Sequence, residues 1–311
     1  MSVYACPTPD MIDLVRVRAD TPGYESIAHF NNSGSSLPPR HVVDMEIDYL
    51  QAEERMGGYE TEGVRHDDLT RVYHAAARIL GCDSREVAFI SNASDAWWRA
   101  FSSIPFVAGN RVLTSRSELQ TGGFGLLQAR ERGVIVDVIP NDDNGGIGLV
   151  ALDAALADDV KATVFTQISM SNGAVQPAAE VGERARSIGA IYLLDACQAA
   201  GQMPLDVGEL DCDFLLFTGR KFMRGPRATG ILYARDSVID RLGQTSFLDG
   251  RSTDWISANE YQYRDRARRF EFGEQNYAGK AGLGVAIDYA LEVGLEAIAE
   301  RTARTGGATQ A

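Results

Sequence analysis

Histidine and cysteine are scarce, with four of each in 311 residues. Cys6, Cys82, Cys197 and Cys212 stand far apart, without the paired spacing of a zinc site. Neither a structural zinc nor a disulfide is expected of such a chain in a reducing compartment. His29, His41, His66 and His74 form no His-x-x-x-His or His-Glu pair, which argues against a histidine metal centre. Bases are outnumbered: 30 Lys and Arg against 43 Asp and Glu leave a net charge of −13. That balance excludes holding nucleic acid or an anionic membrane by bulk charge. No apolar run approaches the roughly 20 residues that cross a bilayer. The first residues, MSVYACPTPDMIDLV, carry an early acid where a secretion signal carries bases, so a cytoplasmic chain is expected. Long repeats and low-complexity tracts are also missing, which removes solenoids and propellers.

What the sequence does have is alternation. Short runs rich in branched and aromatic residues fall at Val87–Ser91, Arg111–Ser115, Val134–Ile139, Ala162–Ile168, Ala190–Asp195, Asp213–Thr218 and Gly230–Ala234. They read as strands buried on both faces. Between most of them lie stretches with apolar residues at helical spacing, namely Leu69–Leu80, Ala96–Ile104, Gly123–Arg132 and Ala178–Ile188. Alternating strand and helix predicts an α/β fold, a three-layer α/β/α sandwich around a mostly parallel sheet. Residues 277–303 read as one or two amphipathic helices, with a frayed end of small polar residues from Thr305.

Such sheets bind ligands beyond the carboxyl ends of their strands, so the residues that follow each run are the candidates. Lys221 follows the run ending at Thr218, and a lysine buried there can lose its proton and attack a carbonyl. Asp195 ends another run and aims a carboxylate at the same crevice. A lysine for a Schiff base together with an acid for a ring nitrogen is the demand of pyridoxal 5'-phosphate. Its phosphate needs backbone donors and hydroxyls, which Ala93 and Ser94 supply at the start of a helix. Thr218 and Arg220 add an oxygen donor and a charge, and Gln198 a donor for the ring's phenolic oxygen. Asn172, in the polar break after Ile168, is a further substrate or cofactor contact.

Each of these residues also has a plainer use. A lysine at a strand end is commonly solvated. Asp195 and Ser94 are both able to cap helices, and Asn172 to make a turn. Trp97 and Trp98 read as packing residues, Cys197 and Cys212 as small buried ones. Gly122-Gly123-Phe124-Gly125 lacks the dinucleotide-loop pattern. Arg264, Arg266, Arg268 and Arg269 read as a solvated edge, although one of them, or Arg224, Arg227 or Arg251, is a candidate to hold a substrate carboxylate.

Asp195-Ala-Cys-Gln198, followed by Thr218-Gly-Arg-Lys221-Phe-Met-Arg-Gly-Pro-Arg-Ala-Thr-Gly230, resembles the signature of class V aminotransferases, which include cysteine desulfurases and isopenicillin N epimerases. The second string most resembles the hercynylcysteine sulfoxide lyase-like branch. The resemblance runs from about Phe30 to about Arg301 and takes in Arg269-Phe-Glu271. It implies the type I pyridoxal phosphate fold, an amino-acid substrate, and a homodimer with active sites at its interface. Lys221 is then the Schiff-base lysine, Asp195 the ring-nitrogen partner, Gln198 the phenolic-oxygen donor, and Ser94, Thr218 and Arg220 phosphate contacts. The implied organisation is an N-terminal arm over 1–30, a large cofactor-binding domain over 31–280, and a helical remnant over 281–311 of a largely missing small domain. That small domain usually carries the carboxylate-binding arginine. The implied activity is carbon–sulfur β-lysis of a cysteine conjugate or sulfoxide to pyruvate, ammonia and a sulfur species. Epimerisation, transamination, or cofactor binding without turnover in a shortened relative are the alternatives. Two positions depart from the pattern: Glu118-Leu119 stands where desulfurases place a ring-stacking histidine, and Glu274 where relatives place a phosphate-binding threonine.

Overall fold

The computed structural model describes residues 12–118, 120–245, 247–264 and 266–309. Seven strands form one sheet: β1 (Val87–Ile90), β2 (Arg111–Ser115), β3 (Ile135–Ile139), β4 (Val160–Thr166), β5 (Ile191–Asp195), β6 (Phe214–Thr218) and β7 (Gly230–Ala234). Their order is β1-β7-β6-β5-β4-β2-β3; β7 runs antiparallel to both neighbours, and every other pairing is parallel. The expected α/β sandwich with a mostly parallel sheet is therefore present. β4 starts and ends two residues before the sequence pattern expects, because beyond Thr166 the chain folds back and Ile168 bridges to Val175. The expectation that all runs are buried on both faces fails at β3. As the edge strand it leaves Ile135 48% and Val138 51% exposed, because no further strand or helix covers that flank.

The helices begin earlier than their apolar periodicity suggests. The helix His66–Leu80 opens with a polar turn that carries Asp67 and Asp68, acids suited to the positive end of a helix dipole. It ends on Gly81 at φ +66°, the left-handed cap that glycine adopts without strain. The helix Ala93–Ser103 likewise starts three residues before Ala96, with the Asn92 side chain accepting the Asp95 N–H at 2.9 Å. Residues 277–309 form two helices, Tyr277–Val293 and Leu295–Thr309, broken at Gly294. The end expected to fray from Thr305 is helical as far as Thr309. The first of these two helices lies close against His66–Leu80: a Cβ on Gly284 would come 3.1 Å from the Val72 nitrogen.

Inside the expected arm, residues Leu14–Ala19 form a short helix and Pro22–Glu25 a 3-10 turn. A second, two-stranded sheet, β8 (Thr253–Ser257) with β9 (Glu260–Tyr263), stands apart from the main one. The sequence pattern did not announce it, because neither strand has a buried residue to mark alternation. No helix among the described residues is long and apolar enough to cross a membrane.

Candidate active site

The strand ends gather the chemistry at one edge of the sheet. Asp195, the last residue of β5, stands in register with Thr166 of β4 and Leu216 of β6. It is 6% exposed, and its Oδ1 accepts the Cys197 N–H at 2.8 Å. Burial raises its pKa, while the Cys197 N–H and thiol and the charge of Lys221 pull it back. Lys221 sits on the turn after β6, 5% exposed, and its amine makes no hydrogen bond among the described residues. The backbone closes that turn. The Arg224 N–H bonds the Lys221 carbonyl at 2.9 Å, the Gly225 N–H bonds the Gly219 carbonyl at 2.8 Å, and Arg224 is left-handed at φ +59°. A buried amine without a hydrogen bond, beside a carboxylate, is equipped to act as nucleophile and base.

The helix Ala93–Ser103 starts beside these residues. A Cβ on Gly230 would lie 3.4 Å from the Asn92 carbonyl carbon, and Gly230 faces Thr218 across the β6–β7 ladder. Asn92 is the cap, so Ser94 is free of that duty; its hydroxyl lies 3.0 Å from that of Thr121. The amides of Ala93 and Ser94 belong to the first turn, which has no internal acceptors and so presents its N–H groups to an anion. Thr218 donates to the Thr229 carbonyl at 3.2 Å and accepts from Arg220 Nη1 at 3.2 Å. A hydroxyl, a guanidinium and a helix N-terminus therefore share one corner.

Residues 33–36 close over this edge: the Ser36 N–H bonds the Arg220 carbonyl at 2.8 Å, and Gln198 Nε2 reaches the Ser33 carbonyl at 3.4 Å. Asn172 is different. It is exposed in the turn after β4, where its Oδ1 accepts the Ala174 N–H at 3.0 Å, and no contact joins it to Asp195 or Lys221. Glu118 is the residue that sequence reasoning passed over. It lies in the loop after β2, accepts the Thr166 N–H at 2.7 Å, and has a pKa pushed up to about 8, first by burial and then by the charge of Asp195. Its place beyond the end of a strand was the available signal. Leu119, beside it, lies outside the described residues.

The arginines divide. Arg264 and Arg266 pair with Asp254 and Asp236, each at 3.2 Å, on the surface. The reading of a solvated edge is corrected for the other two. Arg269 is buried with its guanidinium 4.0 Å from the Tyr263 ring centre, and Arg268 lies 3.3 Å from that of Tyr73 and 3.5 Å from Glu271. A planar cation gains from stacking on aromatic faces, and sequence spacing cannot show it. Of the clamp candidates, Arg251 lies near Glu62 and Glu271, and Arg227 is exposed. Arg224 bonds the Leu37 carbonyl at 3.1 Å and borders a cavity of about 880 Å³ together with Arg18, His29 and Tyr289. That cavity opens behind the Lys221 turn; neither Lys221 nor Asp195 lines it.

Comparison with known proteins agrees with this geometry. The profile of the family described as Aminotransferase class-V matches residues 28–310. A probable cysteine desulfurase of Methanothermobacter thermautotrophicus is 30% identical over 285 residues, covering 91% of this chain and 71% of its own. Among solved structures, an apo cysteine desulfurase of Thermococcus onnurineus NA1 is similar with a TM-score of 0.84 at 26% identity, covering 92% of this chain and 72% of that one. A C-DES variant with glycine covalently linked to its PLP cofactor shares the fold, with a TM-score of 0.82 at 20% identity, covering 90% of this chain and 75% of that one. The chain belongs to the class V aminotransferase family, and it is a pyridoxal phosphate-dependent enzyme of the lyase or transferase type.

The residues present fit that cofactor. Lys221 offers a buried amine free of hydrogen bonds, and Asp195 an adjacent carboxylate. The corner beside Asn92 is kept open by Gly230, where a Cβ would come 2.9 Å from the Phe217 carbonyl.

Proposed function

We propose that this chain cleaves the β carbon–sulfur bond of a cysteine-like amino acid, releasing pyruvate, ammonia and a sulfur species. The observation that carries the reading is the buried, unbonded Lys221 amine beside Asp195 at the carboxyl edge of the sheet. When bound, pyridoxal phosphate supplies an aldehyde for an amine and a ring that takes up electrons from the α carbon. The chain's own groups do the rest. Lys221 Nζ holds the aldehyde carbon and, once released, takes the α proton. Asp195 keeps a proton on the ring nitrogen, and Gln198 donates to the phenolic oxygen. The Ala93 and Ser94 amides, Thr218 and Arg220 hold the phosphate. Residues 33–36 screen the Arg220–Gln198 side from water.

Carbon–sulfur chemistry is supported by the relatives named cysteine desulfurase. A β-elimination, rather than sulfur passed to an enzyme thiol, is supported by the described cysteines. The thiols of Cys197 and Cys212 are held up by burial, and that of Cys82 is raised to about 12 by the same cause, so none is a ready thiolate. The proposal extends to a homodimer, with residues 31–280 as the cofactor-binding domain. The test is an assay of cofactor-loaded protein with cysteine, cystine and cysteine sulfoxides. Stoichiometric pyruvate and sulfur release is expected. Exchange of the α proton without pyruvate would replace lysis by epimerisation or transamination.

A further inference from the structure

Glu118 has no part in the mechanism above, yet its carboxyl lies within the electrostatic reach of Asp195. It enters from the loop after β2 and crosses to the open end of β4. Its Oε1 accepts the Thr166 N–H at 2.7 Å, and its Oε2 lies 3.3 Å from the Thr166 hydroxyl. Thr166 stands opposite Asp195 in the β4–β5 ladder, so two carboxyls from separate segments flank one pair of strand ends. Gly122 leaves the room this requires. A Cβ there would come 3.1 Å from Glu118 Oε2 and 3.4 Å from Trp97 Nε1, an indole nitrogen without a hydrogen-bond partner.

Two carboxyls that share a dry site do not ionise together; the better supported one gives up its proton first. Asp195 is supported by the Cys197 N–H and thiol and by the Lys221 ammonium. Glu118 is supported by Thr166 alone, and its affinity for the proton rises through burial and through the charge of Asp195. The other titratable groups facing the pair are the buried Tyr192 phenol of β5 and the Cys197 thiol just beyond it, both held protonated by burial.

We propose that Glu118 is a positioning residue of the cofactor pocket: a neutral carboxylic acid that ties down the end of β4 and leaves Asp195 as the single anion beside Lys221. Neutral, it holds Thr166 in register with Asp195 while adding no second charge to compete for the lysine or for a ring nitrogen. The role toward the cofactor rests on the function proposed above. The proton-holding pair exists without cofactor.

The experiment separates the two. In cofactor-free, ¹⁵N-labelled protein the Thr166 amide shift is followed with pH in wild type, Glu118→Gln and Asp195→Asn. An inflection near the printed value of about 8 is expected in wild type, none in Glu118→Gln, and one moved to lower pH in Asp195→Asn. An inflection in the ordinary carboxylate range, or one that Asp195→Asn does not move, overturns the pair. Titration with pyridoxal phosphate by absorbance then tests positioning. Glu118→Ala, which loses both bonds to Thr166, is expected to bind about tenfold more weakly. Glu118→Gln, which keeps an acceptor for the Thr166 N–H, is expected to recover most of that loss. Equal affinity in wild type and Glu118→Ala overturns the positioning role. Wild type that binds no cofactor while the amide titrates as expected overturns the cofactor reading and leaves the pair standing.

Discussion

At the scale of single residues, environment assigns the work. Asp195 and Glu118 carry the same functional group, but only Asp195 has donors and a cation arranged around it. Asp195→Asn keeps the size of the side chain and removes the charge that stabilises a protonated ring. Cofactor attachment to Lys221 is expected to persist, while α-proton exchange falls by about 10²-fold or more. Exchange followed by NMR in deuterated water checks it, and an unchanged rate sinks the assignment. Asp195 and Lys221 were legible in the sequence because each follows an apolar run whose length fixes where the strand stops. Glu118 was not. It trails the end of β2 by three residues, and its partner is a backbone N–H on another strand, a pairing that only the folded sheet creates.

At the scale of elements, the seam between helices and β1 turns on a buried ionic chain. Lys280, 1% exposed within the helix Tyr277–Val293, donates to Tyr73 Oη at 2.7 Å and to Gln275 Oε1 at 2.8 Å. The Tyr73 hydroxyl donates to Glu271 at 2.9 Å, and Glu271 accepts the Phe89 N–H of β1 at 2.9 Å. Three elements are thereby joined through groups too costly to leave unpaired. Burial lowers the Lys280 pKa from 10.5 to about 8. Between those two values the unfolded chain binds a proton that the folded chain has released, so this residue makes stability rise with pH across that window. Urea melts at intervals through the window are expected to show the rise in wild type and its loss in Lys280→Met. Identical slopes contradict the assignment. The main-sheet strands were readable from composition because both their faces are mostly buried. β8 and β9 were not, since they bury neither face, and the polar first turns of the helices hid their starts.

At the scale of the molecule, the β8–β9 hairpin presents Trp255, 82% exposed, and Ile256, 55% exposed, on a chain whose net charge is −13. Apolar side chains displayed together on an acidic surface suit an interface. The proposed homodimer predicts that wild type scatters light as two chains and that the double variant Trp255→Glu, Ile256→Glu scatters as one. A dimer that survives the change removes the hairpin from the interface. The family and the fold were legible from the Asp195–Gln198 and Thr218–Gly230 strings and from the alternation of strand and helix. The courses of Arg268 and Arg269 were not, because stacking on Tyr73 and Tyr263 brings together residues distant or unremarkable in sequence.

The most direct test of the central claim is reduction of the cofactor-loaded protein with borohydride, followed by peptide mass mapping. Absorbance near about 420 nm should bleach, and a pyridoxyl adduct should appear on Lys221, with none in Lys221→Ala. An adduct on another lysine, or a Lys221→Ala protein that still bleaches, would contradict the account.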